Sequence, residues 1–144
     1  MKRLLAGLCV ATAACSTLYA PPAALVNEIA PTGHLRAALA SNDTVSRDVA
    51  RQLARHLQVP LAATTFGASF DVAFALPEAA RAAQLDFTEP YLVVDGRPRV
   101  IALPRGRPQA GEYLRDFVEE LKSTGFVAQS IERRGMQARA SVPK

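Results

Sequence analysis

Between residues 34 and 135, short apolar runs alternate with segments of helical period, and this alternation limits the fold more than any single residue does. His34–Ala40, Leu61–Phe66, Phe70–Leu76, Tyr91–Val94 and Arg99–Leu103 are apolar-rich runs of strand length. Between them, Val45, Val49, Leu53 and Leu57 fall four apart with Ala50 and Ala54 alongside, while Arg47, Arg51 and Arg55 take another face. That spacing predicts an amphipathic helix, with Asn42, Asp43 and Thr44 as candidate N-caps and Pro60 marking its end. Pro77-Glu78 opens a second helix to about Gln84, with proline at its first position and an acid in its first turn. Tyr113, Leu114, Phe117, Val118 and Leu121 form one stripe of a third helix that Gly125 stops, and Arg115 and Glu119 can pair along it. A further short helix covers Phe126–Arg134 up to Gly135. Asp95-Gly96 is a turn dipeptide between two strand candidates. Strands interleaved with helices predict an α/β fold, a three-layer sandwich with a mostly parallel sheet. The tail, 136–144, is expected to fray.

The start of the chain carries a different signal. Met1-Lys2-Arg3 is basic, and Leu4–Ala14 is an apolar run of eleven residues, too short for a span that needs about 20. Residues 1–14 therefore read as a secretory signal peptide. Thr12-Ala13-Ala14-Cys15 resembles a lipobox except for Thr12, so acylation at Cys15 competes with ordinary cleavage after Ala13. Residues 15–30, with Pro21-Pro22, read as a tether and a short helix over Ala23–Ala30, stopped by Pro31-Thr32-Gly33. This places the protein in the periplasm or cell envelope, touching a membrane surface only through a lipid anchor.

Composition removes several classes of function. Without Lys2 and Arg3 the net charge falls from +4 to +2, 15 basic against 13 acidic residues. Such a balance, with few aromatics near the basic residues, is no nucleic-acid footprint. The two cysteines stand at 9 and 15, which excludes a disulfide scaffold or cysteine zinc site in the rest of the chain. His34 and His56 are isolated, so a metal centre is not expected, and nothing implies a cofactor. No Gly-x-Ser-x-Gly or Ser/His/Asp set can be assembled, so no catalytic residue is assigned. Arg97, Arg99, Arg105 and Arg107 cluster in sequence, either as a solvated loop or as a surface for anionic headgroups or a partner.

Four segments in order carry a family resemblance. They are residues 24–38, Val49–Leu57 with Val59-Pro60, Asp71–Ala75 followed by Arg81-Ala82-Ala83-Gln84-Leu85-Asp86-Phe87-Thr88-Glu89-Pro90-Tyr91, and Tyr113–Val127. Together they resemble bacterial extracellular solute-binding proteins of family 3, the receptors of polar amino-acid ABC transporters. The resemblance implies lobe one of a type II periplasmic-binding fold over residues 31–135. It also implies a small-molecule solute such as an amino acid, and a permease as partner. Two parts of the family pattern are missing. Asp95-Gly96-Arg97-Pro98 leads straight into the returning strand, leaving no room for a second lobe. Only Ser41–Thr44 stands where family members place an aromatic, glycine-containing loop.

By the same resemblance, Arg81 matches the arginine that grips a ligand carboxylate, for which a guanidinium fork is well shaped. Asn42, Asp43, Thr44 and Glu78 would form the rim. The other reading of Arg81 is a surface pair with Glu78. Two further readings of the chain stay open beside a weakly binding receptor. One is an interaction module or remnant that no longer binds solute and covers its exposed cleft face as a homodimer. The other is a dehydratase-like enzyme on the same fold, for which no acid–base pair is in evidence, so the chain is read as no enzyme.

Overall fold

The computed structural model describes residues 21–144; the expected signal peptide over 1–14 and the candidate lipidation position Cys15 lie outside the described residues. The chain runs α1 (Ala23–Ile29), β1 (Leu35–Ala38), α2 (Thr44–Leu57), β2 (Leu61–Thr64), β3 (Val72–Ala75) and α3 (Pro77–Ala82). It continues with β4 (Asp86–Phe87), β5 (Leu92–Val94), β6 (Arg97–Leu103), α4 (Pro108–Thr124), α5 (Phe126–Arg134) and β7 (Ala138–Ala140). The helices begin and end where local chemistry predicts. Asp43 caps α2 by accepting the Ser46 backbone N–H at 2.9 Å, and Pro77 and Pro108 occupy first turns. Gly125 and Gly135, both with positive φ, close α4 and α5.

Seven strands form one sheet in the order β2-β1-β3-β6-β5-β7, with β4 also paired to β6. The sheet is mixed. β2, β1 and β3 are parallel, with α2 as the crossover from β1 to β2 and a loop from β2 to β3, whereas β3–β6, β4–β6, β5–β6 and β5–β7 are antiparallel. The parallel character expected from the alternating pattern is thus confined to the first three strands. A two-residue turn joins β5 to β6 directly, so these strands need no crossover. Asp95 and Gly96 there both take positive φ, 52° and 72°, as the twist of a tight hairpin demands.

Side-chain alternation divides the sheet into two unlike faces. Leu35, Ala37, Val72, Phe74, Ile101 and Leu103 face a single large core. That core also takes in Leu25 and Ile29 of α1, the Val45–Val49–Leu53–Leu57 stripe of α2, Leu114 and Phe117 of α4 and Val127 of α5. On the opposite face Ala38, Ala73 and Ala102 lie in register across three strands and pack with Ala80 of α3. Small side chains in this row let α3 lie close to the sheet. Helices on both faces make three layers.

The tail differs from expectation. Ala138–Ala140 does not fray but pairs with β5, Leu92 opposite Ala140, and the Ser141 N–H donates to the Tyr91 carbonyl at 3.2 Å. Its own composition is weak for a strand; the open edge of β5 supplies the order. Glu119 likewise pairs with Lys122, 3.0 Å away, rather than with Arg115.

Candidate functional site

The chain leaves β1 for α2 on one face of the sheet and leaves β3 for α3 on the other. Neighbouring parallel strands whose chains diverge in this way open a crevice at their carboxyl ends, where ligands of open α/β sheets bind. Here that crevice encloses about 360 Å³ between Ala40, Phe74, Leu76 and the α3 residues Ala79 and Ala80, with Phe66, Phe70 and Leu85 as outer walls. The alanine row gives it depth. Phe66 is 48% exposed at its edge. Arg99, at the start of the apolar part of β6, is the one charged residue in the lining.

A buried polar chain stands behind this arginine. Arg99 Nε lies 3.9 Å from Asp43 Oδ2. Asp43 accepts both the backbone N–H of Ser46 and its hydroxyl, at 2.9 and 2.6 Å. Because Ser46 gives its proton to the carboxylate, the Tyr91 hydroxyl is the donor in the short Ser46–Tyr91 contact. Complete burial, and then the neighbouring Asp43 charge, push the Tyr91 phenol well above the usual tyrosine range, so it stays neutral. Its ring meets Phe74 edge-on, centroids 5.9 Å apart, which ties the polar chain to the large core. The network is satisfied except at one atom: Arg99 Nη1 is buried with no hydrogen-bond partner among the described residues.

A larger hollow of about 670 Å³ lies between the β5–β6 turn, α5 and β7, lined by Asp95, Glu132 and Arg139 among others. It is more open to solvent than the crevice, so the smaller, more enclosed and more apolar crevice is the better ligand site. Among the described residues, no group of three or more His, Cys, Asp or Glu is placed to hold a metal ion.

No protein-family model matches the chain, and no curated protein matches it. A solved structure does: a point mutant of domain 1 from TmArgBP in its arginine-bound form. The TM-score is 0.54 at 21% identity, over 68% of this chain and 98% of that one. The chain has the fold of one lobe of a periplasmic binding protein.

Within this lobe, the residues singled out from the sequence do not gather at one place. Asn42 is exposed, Asp43 is the buried cap of α2, and Thr44 is the first residue of that helix. Glu78 is exposed on α3. Arg81 lies with its guanidinium 5.3 Å from the centre of the Phe87 ring. It lines a separate depression of about 310 Å³ with Pro77, Thr88, Glu89 and Arg115. None of the five lines the crevice beside Arg99. Arg99, Phe66 and Phe70, which line the crevice, are not among the residues that the sequence singles out as a site. In the sequence Arg99 belongs with Arg97, Arg105 and Arg107, but these separate in space. Arg105 approaches Asp86 at 4.0 Å, Arg107 approaches Asp71 at 3.9 Å, and Arg97 is exposed in the hairpin. A charged residue inside an apolar strand run was the available signal for Arg99.

Asp71 has a structural part. It is buried at the entry to β3, where Arg36 donates to both its oxygens and the Arg36 backbone N–H adds a third bond at 2.9 Å. His56 meets Phe117 edge-on at 5.4 Å.

Proposed function

We propose that the protein is an exported, single-lobe relative of ABC-transporter solute-binding proteins, and that it holds a small carboxylate-bearing solute such as an amino acid. The observation that carries this reading is the crevice at the carboxyl ends of β1 and β3, in the place this fold uses for ligands. Two arginines are within reach of a carboxylate, Arg99 in the crevice and Arg81 in the adjacent depression. The two-residue link between β5 and β6 supports the single-lobe part, since a second lobe inserted there would interrupt it. The similar structure is itself one domain in an arginine-bound form, which supports binding by a lobe on its own.

In this reading the leader directs export to the periplasm or cell envelope, Cys15 is the position at which a lipid anchor would be attached if cleavage follows the lipobox, and a membrane permease is the partner to look for. No helix among the described residues is long and apolar enough to cross a membrane. The protein binds and does not turn over its ligand. An open lobe buries less of a solute than a closed pair does, so affinity is expected near the millimolar range, roughly 4 kcal/mol. Native mass spectrometry with a panel of amino acids and simple carboxylic acids tests the reading. One-to-one adducts with carboxylates are expected; a ligand-free homodimer with no adducts would favour the interaction module.

A further inference from the structure

We propose that the crevice selects carboxylates with an apolar body and no ammonium group, and that Arg99 is their anchor. The inference rests on the solute-binding reading above and, among its carboxylate-bearing solutes, sets amino acids aside in favour of acids without an ammonium group.

The lining is aliphatic and aromatic apart from Arg99. It contains no acidic side chain, so an ammonium or guanidinium group entering with the ligand would meet no counter-charge. The nearest carboxylate to the arginine, Asp43, is already engaged by the Ser46 N–H, the Ser46 hydroxyl and Arg99 itself. Moving an unpaired cation into such a space is strongly unfavourable. A carboxylate is the opposite case. The Arg99 side chain is only 23% exposed, and its Nη1 is buried without a partner among the described residues. Asp43 approaches Arg99 from the Nε side and leaves the rest of the guanidinium free. An entering carboxylate takes charge-assisted bonds from the part of the guanidinium that lines the crevice.

The apolar half of the ligand is specified by the walls. Phe66, Phe70, Leu76 and Leu85 surround a volume suited to a phenyl ring or a branched aliphatic chain. Phe66 is the described aromatic residue left most exposed, and it stands at the crevice mouth where a bound ring would cover it. Ala79 and Ala80 form the α3 side, leaving space that larger residues would fill.

The test is a ligand-observed NMR titration of the purified protein with phenylacetate, phenylacetamide and L-arginine, with sedimentation run alongside. Phenylacetate is expected to bind at least tenfold tighter than either of the others. Arg99→Gln should weaken phenylacetate binding roughly tenfold to a hundredfold, as loss of a charge-assisted bond does. Because Arg99 also meets Asp43, the fold of that variant is checked by circular dichroism. Phe66→Asp, at an exposed position, supplies an independent arm: it should weaken phenylacetate by repulsion while leaving the fold intact. Equal binding of the acid and the amide, or Arg99→Gln and Phe66→Asp variants that both bind as the parent does, would overturn the proposal. So would a dimer, unaffected by phenylacetate, that Phe66→Asp abolishes, because a second copy would then be the occupant. Binding of L-arginine without phenylacetate would overturn this inference and leave the solute-binding reading standing; binding of no acid or amino acid would overturn both.

Discussion

Arg134 holds Asp48 with two hydrogen bonds, Nη2 to Oδ1 at 2.7 Å and Nε to Oδ2 at 3.0 Å, across 86 residues of sequence. Ser130 adds a third from one turn earlier in α5, at 2.6 Å, so the last helix is clasped to the helix that follows the first strand. Burial works against the charged form of Asp48, but hydrogen bonds from Arg134 and Ser130, helped by the positive charges of Arg134 and Arg133, outweigh it. The carboxyl is held below the usual aspartate range.

A pH dependence follows from that clasp. A carboxyl depressed in the folded state stabilises the protein fully above its unfolded value, about 4, and the contribution is lost as pH falls through the lower folded value. Asp48→Asn is expected to cost about 1.5–3 kcal/mol near neutral pH, as breaking hydrogen bonds to a charged group does. It should also flatten the loss of stability in acid. Urea unfolding from pH 7 down to pH 2 checks both; a variant as acid-sensitive as the parent would exclude the clasp as the source.

Gln58 closes α2 in the left-handed region, φ 56° and ψ 41°, with its N–H reaching the Ala54 and Arg55 carbonyls. A side chain there is strained, whereas glycine is not. Gln58→Gly is therefore expected to raise stability by about 0.5–1 kcal/mol. Thermal unfolding reads this as a higher Tm, and a lower one would show that the Gln58 side chain contributes more than its backbone strain costs.

The alanine row under α3 predicts the opposite sign. Ala102 is fully buried and lies opposite Ala73 on one side and Phe87 on the other. Ala102→Leu should push α3 outward and cost about 1–3 kcal/mol through overpacking. Denaturant unfolding measures the loss, and a neutral result would mean that α3 is not seated on the sheet through this row.

How far the sequence revealed this structure differs between its layers. Periodicity located α2 and α5 closely, because the Val45–Leu57 stripe, the Asp43 cap and the Gly135 stop are local signals. Asp95-Gly96 located the hairpin for the same reason. β7 was not visible, since Ala138-Arg139-Ala140 becomes a strand only because β5 offers an edge. Strand direction was half visible: the crossovers through α2 and α3 require no particular partner for β6, whose antiparallel pairing to β3 is a tertiary choice. The clasp of Asp48 by Arg134 and the placing of Arg99 behind Asp43 join residues far apart in sequence, and no spacing rule reports them. Arg81 is singled out by the family pattern, and it lines a depression with Arg115 that is separate from the crevice.

The most direct test of the account is a backbone-amide NMR map of the ¹⁵N-labelled protein as a small carboxylic acid is added. Shifts should concentrate at Ala40, Phe74, Leu76, Ala79, Ala80 and Arg99, which line the crevice at the ends of β1 and β3. Shifts centred instead on Arg81, Thr88 and Arg115, or no saturable shifts at all, would contradict it.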